Sequence, residues 1–161
     1  MKDLKSDPVW VLGSAEATSH MLTSQWDDVT VGPASVTGPL AFSRAGLTPS
    51  DVDVAEIYDA FTYMLMLTME DLGFCEKGQG GEFVESGALR LGGSLPTNTD
   101  GGGLSASHPG QRGLFLIVEA VRQLRGESGP RQVPDAKIAC VSGTGGWFCS
   151  SGTVLLGSDE P

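Results

Sequence analysis

The order in which strand-like and helix-like segments alternate is what most narrows the folds open to this chain. Residues 8–18, "PVWVLGSAEAT", read as a buried strand running into small residues. Residues 34–46, "ASVTGPLAFSRAG", read as a helix in which Pro39 must kink the axis or shift the start, with Gly46 as C-cap. A turn at Pro49 leads to a short strand over 52–57. From residue 60 to 73 the pattern is helical and apolar on most faces, which predicts an interior helix. Residues 75–87 are polar and glycine-rich, with a short helix around 82–86, and 88–99, "ALRLGGSLPTNT", read as an edge strand or extended loop. After His108, Leu114, Ile117, Val118, Val121 and Leu124 recur at three- and four-residue steps, which is one helix face. Gly126 ends that helix, and Pro130 and Pro134 prevent its restart. Two strands, 136–143 and 150–157, close the chain through "TGGWFC". This alternation with a terminal strand pair predicts an α/β layered fold with a mixed sheet, in a single domain spanning 1–161.

Charge and cysteine use exclude several partners. A net charge of −10 argues against nucleic acid or an anionic membrane surface, since both need a basic footprint. Three cysteines, Cys75, Cys140 and Cys149, have no metal-type spacing and point to a reduced, cytoplasmic setting. The start, "MKDLKSDPVWVLG", lacks the apolar core of a signal peptide. The most apolar run, "AFTYMLMLTMEDLGF", carries Glu70 and Asp71 and is too short to span a bilayer.

Three clusters carry the chemistry. In "TNTDGGGLSASHPGQRG", residues 97–113, the glycines can bring backbone amides close to a ligand, or simply make a turn. His108 stands at the start of the next helix, where it can donate to a developing oxyanion, move a proton near neutral pH, or satisfy a buried carbonyl. In "AEIYDAF", residues 55–61, Tyr58 ends a strand where α/β proteins present ligand-facing groups, and Asp59 is placed to cap the helix that follows. Tyr58 can act as donor or acid–base group, or be a half-buried aromatic with a wet tip. In "VSGTGGWFCSSG", residues 141–152, glycines between two strands permit close approach, while Cys140 and Cys149 read as small hydrophobes. His20 and Cys75 are assigned structural roles.

The three clusters, in this order, resemble the C-terminal half of a thiolase, nearest the sterol-carrier-protein-type branch that includes lipid-transfer proteins and acetyl-CoA acetyltransferases. Tyr58-Asp59-Ala60-Phe61 stands where that family has N-E-A-F or H-D-C-F. Asn98 to Gly102 matches N-x-x-G-G, Ser107-His108-Pro109 matches G-H-P, and Ser142 to Gly146 matches the glycine loop between the last strands. The resemblance implies a five-stranded mixed sheet with helices on both faces and an acyl-CoA thioester as substrate, with no further cofactor and no metal. It implies His108 as thioester-oxygen donor and acid–base group, Tyr58 in the place of the family's Asn or His, and Ser142, or a position within one residue of it, at the place of its proton-shuttling cysteine. Gly102, Gly103, Gly145 and Gly146 would approach the substrate. The nucleophilic cysteine of the family lies in an N-terminal half, absent here, so the resemblance implies a partner half or self-association. Tyrosine at the first motif is also similar to thiolase-like aldolases, which cleave steroid side chains from CoA thioesters beside a small OB-fold/zinc-ribbon partner. A non-catalytic binding module of the same fold is the third alternative.

Overall fold

The computed structural model describes residues 5–106 and 110–160. Four strands form one mixed sheet: β1 (Trp10–Thr18), β2 (Val54–Ile57), β3 (Ile138–Gly145) and β4 (Ser150–Gly157), in the order β1-β4-β3-β2. β4 runs antiparallel to both neighbours, and β2 runs parallel to β3. The helices are α1 (Ala34–Ala45), α2 (Thr62–Asp71), α3 (Gly80–Glu85), α4 (Gly102–Ser105) and α5 (Arg112–Leu124).

Side chains alternate between two buried faces along the central strands, as a sheet covered on both sides requires. Ala55, Ile57, Cys140 and Leu155 pack with Ala34 and Phe42 of α1 and Met69 of α2. Val54, Ala139, Val141 and Leu156 pack on the opposite face with Leu116, Ala120 and Leu124 of α5. The expected helices on both faces are therefore present.

The expected fifth strand is reduced to a single parallel bridge, Ala55 with Thr97. Ala55 N–H donates to Pro96 O at 3.0 Å and Asn98 N–H to Ala55 O at 2.9 Å. Asn98 then turns into the left-handed region at φ 51°, and its side-chain oxygen accepts the next ladder donor, Ile57 N–H, at 2.8 Å. A carboxamide has replaced the strand's next carbonyl, so the ladder stops there.

α1 runs unbroken through Pro39, and Gly46 closes it in the left-handed conformation at φ 67°. Its close approach to β1 depends on Gly13, where a Cβ would lie 2.4 Å from Ala41 O and 2.9 Å from Ala45 N. Both are backbone atoms of a packed helix and cannot swing aside. Gly13→Ala is expected to destabilise the chain by about 2–3 kcal/mol in urea denaturation, as overpacking does.

Candidate active site

β2 ends by delivering Tyr58 to the α5 face, because Val54, Glu56 and Tyr58 share one side of the strand. Tyr58 N–H donates to Ser142 O at 2.9 Å, which extends the β2–β3 pairing by one residue. The Tyr58 side chain lines a cavity of about 410 Å³ together with Gly110, Arg112, Gly113 and residues 143–146. Residues of all three sequence clusters thus meet at one cavity. Burial raises the phenol's pKa, Asp59 raises it further, and Arg112 pulls it down. The net shift is upward, so at neutral pH Tyr58 is a protonated donor and not a phenolate.

Gly145 and Gly146 border this cavity beside Tyr58. Gly146 adopts φ 59°, and a Cβ there would come within 2.5 Å of Cys149 Sγ. Ser142 is placed elsewhere. It faces the α1 side, 1 % exposed, and its Oγ lies 3.1 Å from Thr153 Oγ1, which in turn meets Thr37 Oγ1 at 2.8 Å. These hydroxyls tie α1 to the sheet, and Ser142 and Tyr58 point to opposite faces. His108 lies outside the described residues, with Ser107 and Pro109.

Asp59 corrects one expectation. It does not cap α2, whose N-cap is Phe61 without any side-chain cap bond. Instead it crosses to α4, accepting Gly103 N–H at 2.7 Å and Leu104 N–H at 3.2 Å. Asp100 accepts Gly102 N–H at 2.8 Å. The amides of Gly102 and Gly103 are therefore already engaged by the protein's own carboxylates. Gly102 is glycine because its φ is 70° and a Cβ would sit 2.2 Å from Asp59 Oδ2.

The polar groups between β2 and α5 were missed by sequence reasoning. Arg112, 6 % exposed, forks onto Asp100 through Nη1 and Nη2, each at 3.0 Å. Deeper in, Thr99 Oγ1 lies 2.8 Å from Glu56 Oε1, 2.9 Å from Glu119 Oε1 and 2.8 Å from Gln123 Nε2. Arg131 forks onto Glu119 at 2.7 and 2.8 Å. Burial pushes Glu56 up to about 8 against the bonds from Thr99. Burial also acts to raise Glu119, but the bonds from Arg131 and Thr99 hold its carboxyl below the ordinary value. A signal was present: Arg112, Glu119 and Gln123 are spaced seven and four residues apart, on the same stripe as the apolar Leu116 and Ala120.

His20, given a structural role, and Cys140, read as a small hydrophobe, fit their surroundings. His20 stacks on Trp26 with ring centroids 5.3 Å apart and lies 2.8 Å from Ser19 Oγ. Cys140 is fully buried, its thiol pushed up to about 12 by burial, so it is no nucleophile. Among the described residues, no helix is long and apolar enough to cross a membrane.

Three antiparallel strands, β1-β4-β3, with β2 parallel to β3, helices on both faces and a glycine loop beside a strand-end tyrosine make up the arrangement of a thiolase-type half. Residues 15–158 match the family model "Thiolase C-terminal domain-like", and the chain belongs to that family. It is 41% identical to an acetyl-CoA acetyltransferase of Methanothermobacter thermautotrophicus, over 90% of this chain and 39% of that one. It is 34% identical to a steroid side-chain-cleaving aldolase of Thermomonospora curvata, over 99% of this chain and 41% of that one. Among solved structures, an "Ltp2-ChsH2(DUF35) aldolase" superposes with TM-score 0.86 at 31% identity, over 99% of this chain and 42% of that one. The chain spans about two-fifths of the length of these two curated relatives.

Proposed function

We propose that this chain is the C-terminal half of a thiolase-type acyl-CoA acyltransferase. In this reading the Tyr58 cavity takes the thioester end of an acyl-CoA, and the nucleophilic cysteine comes from an N-terminal half. His108 and the Tyr58 phenol donate to the thioester oxygen, and His108 serves the proton transfers of the Claisen-type step. The observation that carries the reading is the convergence of Tyr58, Gly145 and Gly146 on one cavity at the start of α5. A protonated Tyr58 suits a donor. Ser142, turned away and bound to Thr153, takes no part. Exposed Val36 and Leu40 on α1, and Leu114, Phe115 and Val118 on α5, support a partner half or a second copy covering these faces.

A second reading has its own support: a lyase that cleaves a β-hydroxyacyl-CoA, with Tyr58 and His108 handling the retro-aldol proton. It draws on the tyrosine at the cavity and on the likeness to two aldolases. A small OB-fold/zinc-ribbon partner belongs to this reading alone.

One pair of assays separates them. With the N-terminal half present, a transferase exchanges acyl groups between acyl-CoA and free CoA, and His108→Ala is expected to lower exchange at least about 100-fold. Tyr58→Phe is expected to lower exchange only about 10-fold, the cost of one donor. Release of a ketone or aldehyde from a β-hydroxyacyl-CoA without any exchange, abolished by Tyr58→Phe, would replace the first reading with the second.

A further inference from the structure

Arg112 is the first residue of α5 and is almost wholly buried, a position where a cation persists only if it is paired. Its pairing is rigid. Asp100 takes both terminal nitrogens, and Asp100 is itself held by Gly102 N–H at 2.8 Å. The remaining Nε is buried, has no hydrogen-bond partner among the described residues, and lies beside Gly103, where a Cβ would come 3.7 Å from it. The guanidinium is therefore held through both terminal nitrogens by an anchored carboxylate, yet Arg112 borders the same cavity as Tyr58.

We propose that Arg112, pinned by Asp100, is a positioning residue for Tyr58: it keeps a fixed positive charge on the wall of the cavity that Tyr58 lines and so strengthens the phenol as a hydrogen-bond donor. The proposal rests on the reading of Tyr58 as the donor in this site. Among the described residues, Asp59, just beyond β2, and Arg112 of α5 are the charged groups that act on the phenol, Asp100 of the glycine turn and Glu56 of β2 act on Arg112, and Ile117, Val121 and Val154 belong to the same apolar cluster. Burial and Asp59 both disfavour loss of the phenol's proton, and Arg112 is the group that opposes them. A donor becomes stronger as its proton becomes easier to remove, and the phenol already holds its proton more firmly than free tyrosine, so without Arg112 Tyr58 would be a poorer donor still. Asp100 sets the limit. It fixes the cation in place and also cancels part of its field, leaving less positive charge for an anionic ligand to bind directly.

The chain has two tyrosines, which makes the phenol readable without any substrate. Fluorotyrosine is incorporated throughout the whole chain; it is more acidic than tyrosine and brings the titration into a milder pH range. Fluorine NMR then follows Tyr58, assigned through Tyr63→Phe. Arg112→Gln is expected to move the Tyr58 titration up by about one pH unit, and Asp100→Asn to move it down by about half a unit. Opposite displacement from the two halves of one ion pair is what a merely structural contact cannot give. Shifts in the same direction, or none in either variant, overturn the proposal. Should Arg112→Gln fail to fold, Asp100→Asn still decides, since an unmoved or raised titration there is fatal. No thioester enters the measurement, so the acyl-CoA reading can fail while this one stands, and the reverse.

Discussion

Replacing Arg131 by alanine is expected to cost about 3–5 kcal/mol of folding stability, the range for stranding one member of a buried ion pair. The asymmetry of the pair sets the size. The Glu119 side chain is 2% exposed and that of Arg131 is 35% exposed, so the cation can find water but the anion cannot. Removing Arg131 takes away two bonds, at 2.7 and 2.8 Å, and leaves Glu119 with neutral donors only: Thr99, Ser128 and Gln123. These hold a carboxylate less firmly than a guanidinium does. Adding Glu119→Gln to Arg131→Ala removes the stranded charge and is expected to restore about half of the loss. The comparison is made by urea denaturation of the single and double variants at one pH. A double variant as unstable as the sum of its parts would show that the pair is not coupled.

Element order and the edges of the main helices were legible because each rests on local chemistry. Gly46 closes α1 in the left-handed conformation, and the three- and four-residue apolar steps after residue 112 mark α5 as a helix but not its buried face, since Leu114 and Val118 are exposed while Leu116 and Ala120 pack on the sheet. What escaped is tertiary. Glu56 alternates with Ala55 and Ile57, a pattern that in a half-exposed strand would place it in water. β2 is instead an end strand roofed on both faces and flanked by the Thr97 bridge, so all four of its residues are buried. Asp59 precedes a helix and carries the right side chain to cap it, yet it caps a different helix more than 40 residues downstream. Ser142 fell in the family's motif position by residue count, but strand alternation sends its hydroxyl to the α1 face. The pairing of Asp100 with Arg112 spans twelve residues and a glycine turn, and no local pattern announces it. Of the expected site, Tyr58, Gly145 and Gly146 come together at one cavity, whereas Gly102 and Gly103 serve the turn beside it.

Stability should also fall as pH rises from about 4.5 to about 8, and Glu56 is the reason. Thr99 has one hydroxyl hydrogen but lies within 2.9 Å of two carboxyl groups, so it cannot serve both as carboxylates. A proton on Glu56 resolves the conflict. Glu56 then donates to Thr99 Oγ1, Gln123 Nε2 donates to the same oxygen, and Thr99 donates to the ionised Glu119. Burial favours the same arrangement, holding the Glu56 proton up to about pH 8 where the unfolded chain releases it near 4.5. Between those values the folded state carries one more proton than the unfolded state, so raising the pH favours unfolding. This single group contributes a slope of up to about 1.4 kcal/mol per pH unit, fully expressed only across that window and absent below it. Glu56→Gln keeps the shape and the donor while removing the titration. The variant and the parent are expected to be similar near pH 5 and to diverge above it, the variant more stable by about 2–4 kcal/mol at pH 8. Parallel curves from urea denaturation across the window would mean that Glu56 is ionised in the folded protein, and the proton assignment around Thr99 would have to be reversed.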